Sequence, residues 1–472
     1  MLLASTAPIA FALPSPSVPC PRFSTPAPPL HVEAGNAIEI TTGGLFRNCG
    51  VVSTGPSRRF KESYNGINLN NAGGTVVNLG RVEGGSNGIK ATEDVTLLNT
   101  GGLTGHKGAG LKSKGDAVVI NHGIITGADA QRPEQNDGDG DGLDIDKLAR
   151  VHNYGVIQGT GANGKDKSGA ANTSEGIAMG GGEVYNYARG VIRGAHHGVL
   201  VDNGDVGPAH GETLLINEGR IFGRNGYGVK LIGDFNDTIL NNGLISGTNG
   251  IALDMGGGDD VLTVRNGAHF KGKVDGGSGT NHVILDDTRG GTFNGASRIQ
   301  HLQVSAGSWT LTGAVDANEQ GKVHSGATLI NQNAIGGSIA VEQGATYSGG
   351  TVANLDVAGT LLLDPGTQSK TRIKHDLQME KGSTLAFKIG AGETHSTLKV
   401  GNCANLAGAT LNIQVEHESD ALLTRQLRVV DAHPITGKFA GITSNLKTLT
   451  PTLIYTPTGA FISFKRKAAA TA

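Results

Sequence analysis

Short apolar segments alternate with glycine and asparagine along most of the chain. Segments such as "GVKLI" and "TLLIN" hold only a few residues between glycines, and their aliphatic side chains recur at every second position. A period of two is typical of β-strands that bury one face, and the segments are too short for ordinary helices. The pattern therefore predicts an all-β protein built from many short strands.

A longer motif, N-x-G-x-φ-x-G with φ an apolar residue, recurs through the first half of the chain. Successive copies of its asparagine are separated by 30, 21, 22, 32, 33, 31 and 24 residues. These asparagines are Asn48, Asn78, Asn99, Asn121, Asn153, Asn186, Asn217 and Asn241. A recurrence of about 20 to 50 residues is typical of solenoids.

A second mark, glycine followed by an aliphatic residue, precedes each asparagine. The aliphatic residue lies 10, 10, 10 and 9 residues before the next Asn in the four copies that begin at Ile89. In these four copies the spacing predicts that this side of the repeat accepts no insertion. Strands this short and this regular predict a right-handed parallel β-helix (solenoid) whose turns stack about 4.8 Å apart.

The motif residues have predicted roles in such a fold. Each asparagine would stand at a bend, because asparagine tolerates left-handed geometry and its amide bonds to neighbouring backbone. In successive turns the amides would also hydrogen-bond to one another as a ladder, with Asn99, Asn121 and Asn153 in one row. The glycines would supply positive φ at the bends, and the aliphatic residues would fill a narrow core.

The regularity changes along the chain and predicts five segments. Residues 1–35 form a proline-rich leader, since eight of the 15 prolines lie at or before Pro29, and "LLASTAPIAFAL" resembles a degenerate signal peptide. Residues 36–255 carry the N-x-G repeats of the β-helix, and residues 256–380 continue it less regularly. Residues 381–467 form a C-terminal cap, followed by a tail at 468–472.

Insertions between the repeats cluster at one bend. Residues 128–141 and 160–175 lengthen the bend between the last glycine of the motif and the Gly-aliphatic pair, and residues 56–65 do so in the first turn. Another insert, 202–213, falls at the following bend. Loops that lengthen one edge of a solenoid often form its binding face, although unselected variation in loop length explains the same pattern.

Composition agrees with a thin core and excludes several classes of partner. Glycine accounts for 76 of 472 residues, aromatic residues are only 4%, and the net charge is −2 with both signs interspersed. The sequence shows no basic stripe for nucleic acid and no basic amphipathic helix for a membrane surface. No apolar run reaches the length of a transmembrane helix. We therefore expect no nucleic-acid partner and a monomer.

The three cysteines, Cys20, Cys49 and Cys403, form neither a disulfide framework nor a zinc pattern. Cys49 lies inside a repeat, where a small buried hydrophobic residue is the expected role.

Several sequence patterns resemble metal-binding or catalytic motifs but lack residues or the order that those motifs require. The acidic stretch "NDGDGDGLDID" begins like an EF-hand loop but has Leu148 where a glutamate is needed. "GGGDDVLTV" and "GGSGTNHVI" are imperfect copies of a calcium-binding nonapeptide and indicate glycine-rich turns. His197-Gly198, Asp259-Asp260 and Arg372-Ile373-Lys374 resemble parts of a pectin hydrolase site, but in the wrong order and many turns apart. The sequence therefore predicts no catalytic, cofactor-binding or metal-binding residues.

The C-terminal block carries a family resemblance. Residues 381–466 follow the closing pattern of bacterial type V autotransporter passenger domains of the pertactin-like kind. The matching positions are Gly382, Ser383, Leu398, Leu406, Gly408, Gly437, Phe439, Leu453, Tyr455 and Phe461. The resemblance implies an autochaperone-like cap that assists folding during export. It also implies a β-barrel translocator as a partner, which the sequence itself does not contain.

The function implied by the resemblance is that of a non-catalytic surface protein. We expect an adhesin-like, virulence-associated passenger on the bacterial cell surface, at the outer-membrane exterior or secreted. It would present loops to a surface ligand, either a host protein or a glycan, and would use no cofactor. The alternatives are a β-helix enzyme acting on polysaccharide and a truncated structural remnant of an autotransporter.

Overall fold

The chain folds into stacked turns of short β-strands. The computed structural model describes residues 29–56, 64–129, 140–162, 165, 171–203, 207–367 and 370–467. Over these residues it contains 50 β-strands, two short 3-10 helices at Ala391–Glu393 and Asp420–Thr424, and no α-helix. Nearly all strand pairs are parallel, between equivalent strands of neighbouring turns. The predicted all-β parallel β-helix is confirmed.

Each turn of the N-terminal half has three strands, whose stacks we call the first, second and third face. The first face contains Leu30–Val32, Val51–Thr54, Arg81–Gly84, Gly102–Gly105, Ile124–Asp129, Val156–Gly159, Val191–Gly194 and Arg220–Gly223. The second face contains Ile38–Ile40, Ile67–Leu69, Ile89–Ala91, Leu111–Ser113, Leu143–Ile145, Ile177–Met179, Val199–Val201 and Val229–Leu231. The two faces merge in the long strands Leu244–Asp254 and His269–Asp275.

The third face runs nearly the whole length of the molecule, and each strand pairs only with those of adjacent turns. Its strands are Leu45–Asn48, Gly74–Asn78, Val95–Asn99, Ala117–Asn121, Ala149–Asn153, Gly182–Asn186, Thr213–Asn217, Thr238–Asn241, Val261–Val264, His282–Asp286, His301–Ala306, Gly321–Val323, Ile339–Val341, Leu355–Val357, Leu377–Met379, Ala404–Asn405 and Ile435–Thr436. One short strand, Lys107–Gly108, pairs antiparallel with Ile124–Asp129 beside the first face.

Two further sheets complete the turns of the C-terminal half. One contains Gly291–Phe293, Ser308–Leu311, Thr328–Asn331, Thr346–Ser348, Thr360–Leu363, Thr384–Ile389, Thr410–Val415 and Gly441–Ser444. The other contains Thr351–Val352, Arg372–Ile373, Leu398–Val400, Gln426–Asp431, Gly459–Arg466 and Leu449–Thr456. Its last three strands pair antiparallel, so the solenoid ends in a hairpin instead of another open turn.

Aliphatic side chains fill the interior in vertical columns, as the alternation predicts. On the first face the inward column is Val52, Val82, Leu103, Ile125, Ile157, Ile192, Ile221 and Ile245. On the third face it is Val76, Leu97, Val119, Val151, Val184, Leu215, Ile239 and Leu262. Burying one such side chain stabilises the fold by about 1.5–3 kcal/mol. Farther along, Trp309, Tyr347 and Phe387 join the core.

The motif asparagines form the predicted ladder at the end of each third-face strand. The Nδ2 of each asparagine donates to the Oδ1 of the asparagine one turn on, at 2.8 or 2.9 Å, from Asn48 through Asn241. All eight side chains are buried. Asn99, Asn121 and Asn153 stand in one register row. The ladder ends where Val264 takes the next position, which leaves the Nδ2 of Asn241 without a hydrogen-bond partner.

The motif glycines have a role different from the predicted one. None of the Asn-x-Gly glycines has a positive φ. They are needed because each bend lies directly against the backbone of the preceding turn. A Cβ on Gly80 would lie 2.0 Å from the carbonyl oxygen of Gly50, and one on Gly101 would lie 1.8 Å from that of Gly80. The expectation of left-handed glycines at these bends is therefore wrong, since close stacking selects glycine there.

The expectation for Cys49 is also wrong. Cys49 is exposed and disulfide-bonded, whereas Cys403 is free. Cys20 lies outside the described residues. Spacing alone could not reveal this bond, because a disulfide depends on which residues the fold brings together.

Candidate functional site

The bend between the first and second face, which we call the insert corner, receives the long insertions. The two principal ones leave the first-face strands Ile124–Asp129 and Val156–Gly159 and return at the second-face strands Leu143–Ile145 and Ile177–Met179. These strands are neighbours in register, so the two insertions begin and end on adjacent turns. The sequence-based placement of the inserts is confirmed. Residues 57–63, 130–139, 163–164 and 166–170 lie outside the described residues.

The bases of the two insertions are bonded to each other. The Ser174 hydroxyl donates to the Gly140 carbonyl at 2.7 Å, and the backbone N–H of Glu175 donates to Oδ1 of Asp141 at 2.6 Å. The N–H of Asp129 donates to the Gly161 carbonyl at 2.8 Å. Ser174, Glu175, Asp129 and Asp141 are all buried. The insertions therefore start from a rigid base, the arrangement in which loops commonly carry binding.

A small cluster of Glu175, His196 and His197 lies beneath this corner. It is the only group of three His, Cys, Asp or Glu side chains in the described part of the chain whose donor atoms all lie within 4.8 Å of one another. Oε1 of Glu175 and Nδ1 of His196 are 3.7 Å apart, and neither has a hydrogen-bond partner. Burial outweighs the attraction of Glu175 and lowers the pKa of His197 to about 4, so its ring is neutral at neutral pH.

The tautomer of His197 does not fit a three-ligand metal site. The backbone N–H of Tyr227 donates to Nδ1 of His197 at 3.0 Å. Because Nδ1 accepts this bond, the proton of the neutral ring resides on Nε2, which then has no free lone pair. A metal-binding histidine normally has the opposite arrangement, with its second nitrogen donating to an acceptor. The cluster therefore gives no basis for placing a metal.

The outer surface of the first face carries a row of polar side chains beside the insert corner. Nε2 of Gln158 donates to the hydroxyl of Thr126 at 2.9 Å, and Nε of Arg193 donates to Oε1 of Gln158 at 2.7 Å. The three residues occupy the same outward position in successive turns. The row holds the Arg193 guanidinium in a defined orientation at the surface.

Stacked rings cover part of the third face and were not anticipated from the sequence. His122, Tyr154 and Tyr187 follow three successive ladder asparagines, and their rings stack with centroid distances of 4.4 and 4.0 Å. His152 and Tyr185 form a parallel stack at 4.7 Å. Each ring face is therefore largely occupied by a neighbouring turn, which makes the stack primarily a stabilising feature. The signal in the sequence is the ring residue that follows the asparagine in "NHG", "NYG" and "NYA".

Two buried carboxyl groups lie where the second face bends into the third. The N–H of Thr213 donates to Asp237, and the N–H of Asp237 donates to Oδ1 of Asp260. Oδ2 of Asp260 is buried without a hydrogen-bond partner. Burial raises the pKa of Asp237 to about 7 and that of Asp260 to about 8. Both groups are closed off from solvent, so they affect stability and are not placed to act on a substrate.

These carboxyl groups make stability depend on pH. In the folded protein they keep their protons up to about pH 7–8, whereas in the unfolded chain they lose them near pH 4. The unfolded state therefore binds fewer protons in this window, and the free energy of unfolding falls as pH rises from 5 to 8.5. We expect Asp260→Asn to remove at least half of that fall, and to stabilise the protein by about 1–3 kcal/mol at pH 8.5, in urea titrations.

Asp116→Asn is the matched control for this measurement. Asp116 lies at the same bend, one register position before the column of Asp260, and its Oδ1 accepts the N–H of Leu148 in the following turn, but Asp116 is exposed. Its substitution is expected to leave the pH dependence unchanged. Equal pH profiles for the wild type and Asp260→Asn would contradict the assignment.

The fold separates the residues that resemble a pectin hydrolase site. His197 lies buried at the insert corner, and Asp260 lies buried at the bend into the third face. Arg372–Ile373 is a strand of the C-terminal sheet. Of the acidic stretch, Asp137 and Asp139 lie outside the described residues, whereas Asp144 forms an ion pair with Lys112 on the second face. Asp259 and Asn281 accept backbone N–H groups of adjacent turns, as turn residues do.

None of the described residues forms a helix with the length and apolarity needed to cross a membrane. No protein-family model matches the chain, and no curated protein matches it in sequence. The described residues form a parallel β-helix solenoid.

Proposed function

We propose that the chain is a non-catalytic, adhesin-like passenger of a bacterial autotransporter that binds a host protein or glycan at the cell surface. The observation that supports the proposal is that two long insertions begin and end on adjacent turns at one corner. Their bases are buried and bonded to each other. A rigid scaffold with long loops at one edge is well suited to recognition.

Two further observations support this role. The disulfide at Cys49 fits a chain that works outside the cytosol, because such bonds persist in oxidising compartments. The C-terminal hairpin closes the last turn: Glu418 accepts the backbone N–H groups of Lys447, Thr448 and Leu449. Such an end fits the autochaperone-like cap that the resemblance implies, since folding of a repeat protein can nucleate in one part and propagate to neighbouring repeats.

Binding to cells tests the proposal. We expect the purified chain to bind fixed epithelial cells. Replacement of residues 131–138 and 163–170 by Gly-Ser linkers should weaken that binding at least about tenfold, since the loops carry the recognition. These replacements retain the buried flanks Asp129, Asp141 and Glu175.

The control variant replaces residues 204–206, within the insert at the following bend, with a linker of the same length. It is expected to bind cells like the wild type. Binding that survives loss of both insertions would refute the proposed role of the insert corner. Labelling of intact producing bacteria with an antibody to the chain tests the surface location separately.

A further inference from the structure

Five cationic side chains form a stripe on the outer surface between residues 193 and 273. They belong to three strands, Val191–Gly194, Arg220–Gly223 and His269–Asp275, and to the residue that follows the second. The five residues, which we call the basic stripe, are Arg193, Arg220, Arg224, Lys271 and Lys273. Arg220, Arg224, Lys271 and Lys273 are exposed, and Arg193 is half-buried.

Strand register sets the direction of the stripe. Arg193 pairs with Phe222, Phe222 with Ser246 and Ser246 with Lys271, so these residues form one vertical column. Arg220 lies in the adjacent outward column, above Val191. With strands about 4.8 Å apart, Arg193 and Lys271 are separated by about 14 Å along the axis. The cations are therefore arranged lengthwise, parallel to the solenoid axis.

The basic stripe is not neutralised by its surroundings. Elsewhere on the strands cations are paired with acids, as in Arg150 with Glu183 and Arg265 with Asp286. None of the five stripe residues forms an ion pair with any described residue. The outward residues Leu244 and Ser246 of the intervening strand carry no charge, and the exposed Glu218 lies at the bend from the third face. The nearest acids on the merged strands are Asp254 and Asp275, at their second-face end beyond Lys273. The positive charge is thus local in a chain whose net charge is −2.

We propose that the basic stripe binds a linear acidic polysaccharide, sulfated or carboxylated, that lies along the solenoid axis. This inference rests on the proposed binding function and names the class of its ligand. Repeated anionic groups on a polymer can contact several cations at once. Each contact raises the effective concentration of the remaining anionic groups near the remaining cations. The surface is an open sheet face, which suits an extended polymer better than a single small anion.

Nucleic acid is the other common linear polyanion and fits the surface less well. Binding of single strands normally combines cations with several aromatic side chains on which bases stack. One aromatic residue, Phe222, lies in the same column as the stripe, half-buried between Arg193 and Ser246. The chemistry of the stripe is thus mainly electrostatic, with guanidinium groups that suit sulfate and carboxylate.

The test uses heparin as a sulfated polysaccharide, with dextran as an uncharged one. The wild type is expected to bind immobilised heparin and not dextran. A variant with Arg220→Gln, Arg224→Gln and Lys271→Gln should lose at least about tenfold in affinity, and the slope of log affinity against log salt should decrease by about one for each contact removed. All three side chains are exposed, so the thermal unfolding midpoint should not change.

The control variant carries Lys114→Gln, Lys381→Gln and Lys399→Gln, three exposed lysines on other parts of the surface. It changes the net charge equally and should keep its affinity within about twofold. Equal loss in both variants, or no heparin binding by the wild type, would overturn the inference. Tighter binding of a single-stranded oligonucleotide at the same stripe would overturn it as well. The cell-binding assay with the linker variants tests the proposed function separately, so its outcome does not depend on heparin binding.

Discussion

Replacement of Gly101 by alanine is expected to destabilise the protein by more than about 4 kcal/mol, a loss reserved for severe packing conflicts. A Cβ at this position would lie 1.8 Å from the carbonyl oxygen and 2.8 Å from the carbonyl carbon of Gly80. Both atoms belong to backbone that is held by the ladder of the preceding turn, so neither can move without separating the turns. Urea titration followed by circular dichroism measures the loss.

Gly50 provides the control within the same stack. It occupies the same motif position in the first turn, has no positive φ, and a Cβ there would have no atom within 4 Å. Gly50→Ala should therefore leave the free energy of unfolding within about 0.5 kcal/mol of the wild type. Similar losses at Gly50 and Gly101 would show that the cost comes from the bend itself and not from the stacking of turns.

Replacement of Asn121 by alanine has the second large effect. Its Nδ2 donates to Oδ1 of Asn153 and to the carbonyl of Val156, and its Oδ1 accepts from Nδ2 of Asn99 and from the N–H of Gly123. Removing the amide leaves several buried groups short of a partner and opens a cavity. We expect a loss of about 3 kcal/mol or more in the free energy of unfolding.

Asn241, at the end of the ladder, is the internal comparison for Asn121. Its Oδ1 accepts from Asn217 and Gly243, but its Nδ2 has no hydrogen-bond partner. Asn241→Ala therefore removes only the accepting half of the contacts, and its cost should be about half that of Asn121→Ala. Equal costs at the two positions would mean that the bonds between asparagines contribute little beyond the fit of each side chain.

The motif asparagines and the motif glycines differ in how much of their structural role can be predicted from the sequence. The ladder was predicted correctly because one register row of equal residues permits few arrangements other than a ladder. The left-handed geometry expected of these asparagines is wrong, since none of the eight has a positive φ. The glycines were assigned to the right bend for the wrong reason. A recurring glycine in the sequence indicates only that a Cβ is disfavoured at that position. Either a positive φ or a clash with the neighbouring turn can be the cause, and the stacking distance between turns decides which of them applies.

The insert corner could be located from the sequence but not described. The constant spacing from the Gly-aliphatic pair to the asparagine predicts that this bend accepts no insertion. The strand bounds agree for the four copies from Ile89 to Asn186, but the prediction is wrong in the next turn, where residues 202–212 separate Val199–Val201 from Thr213–Asn217. The bonds that join the bases of the inserts involve Asp141 and Glu175, which are 34 residues apart. Whether two such distant residues come into contact depends on the number of residues in each turn of the solenoid.

The sequence by itself determined the class of fold, the strand alternation, the inward columns and the ladder, because these follow from a local period and its repetition. The tertiary structure decided which distant side chains share a surface. Arg193, Arg220 and Lys271 look interspersed with acids along the chain, yet they form one unpaired stripe. Coiling places residues more than 20 positions apart on adjacent rungs, so charges that alternate in sequence can segregate in space.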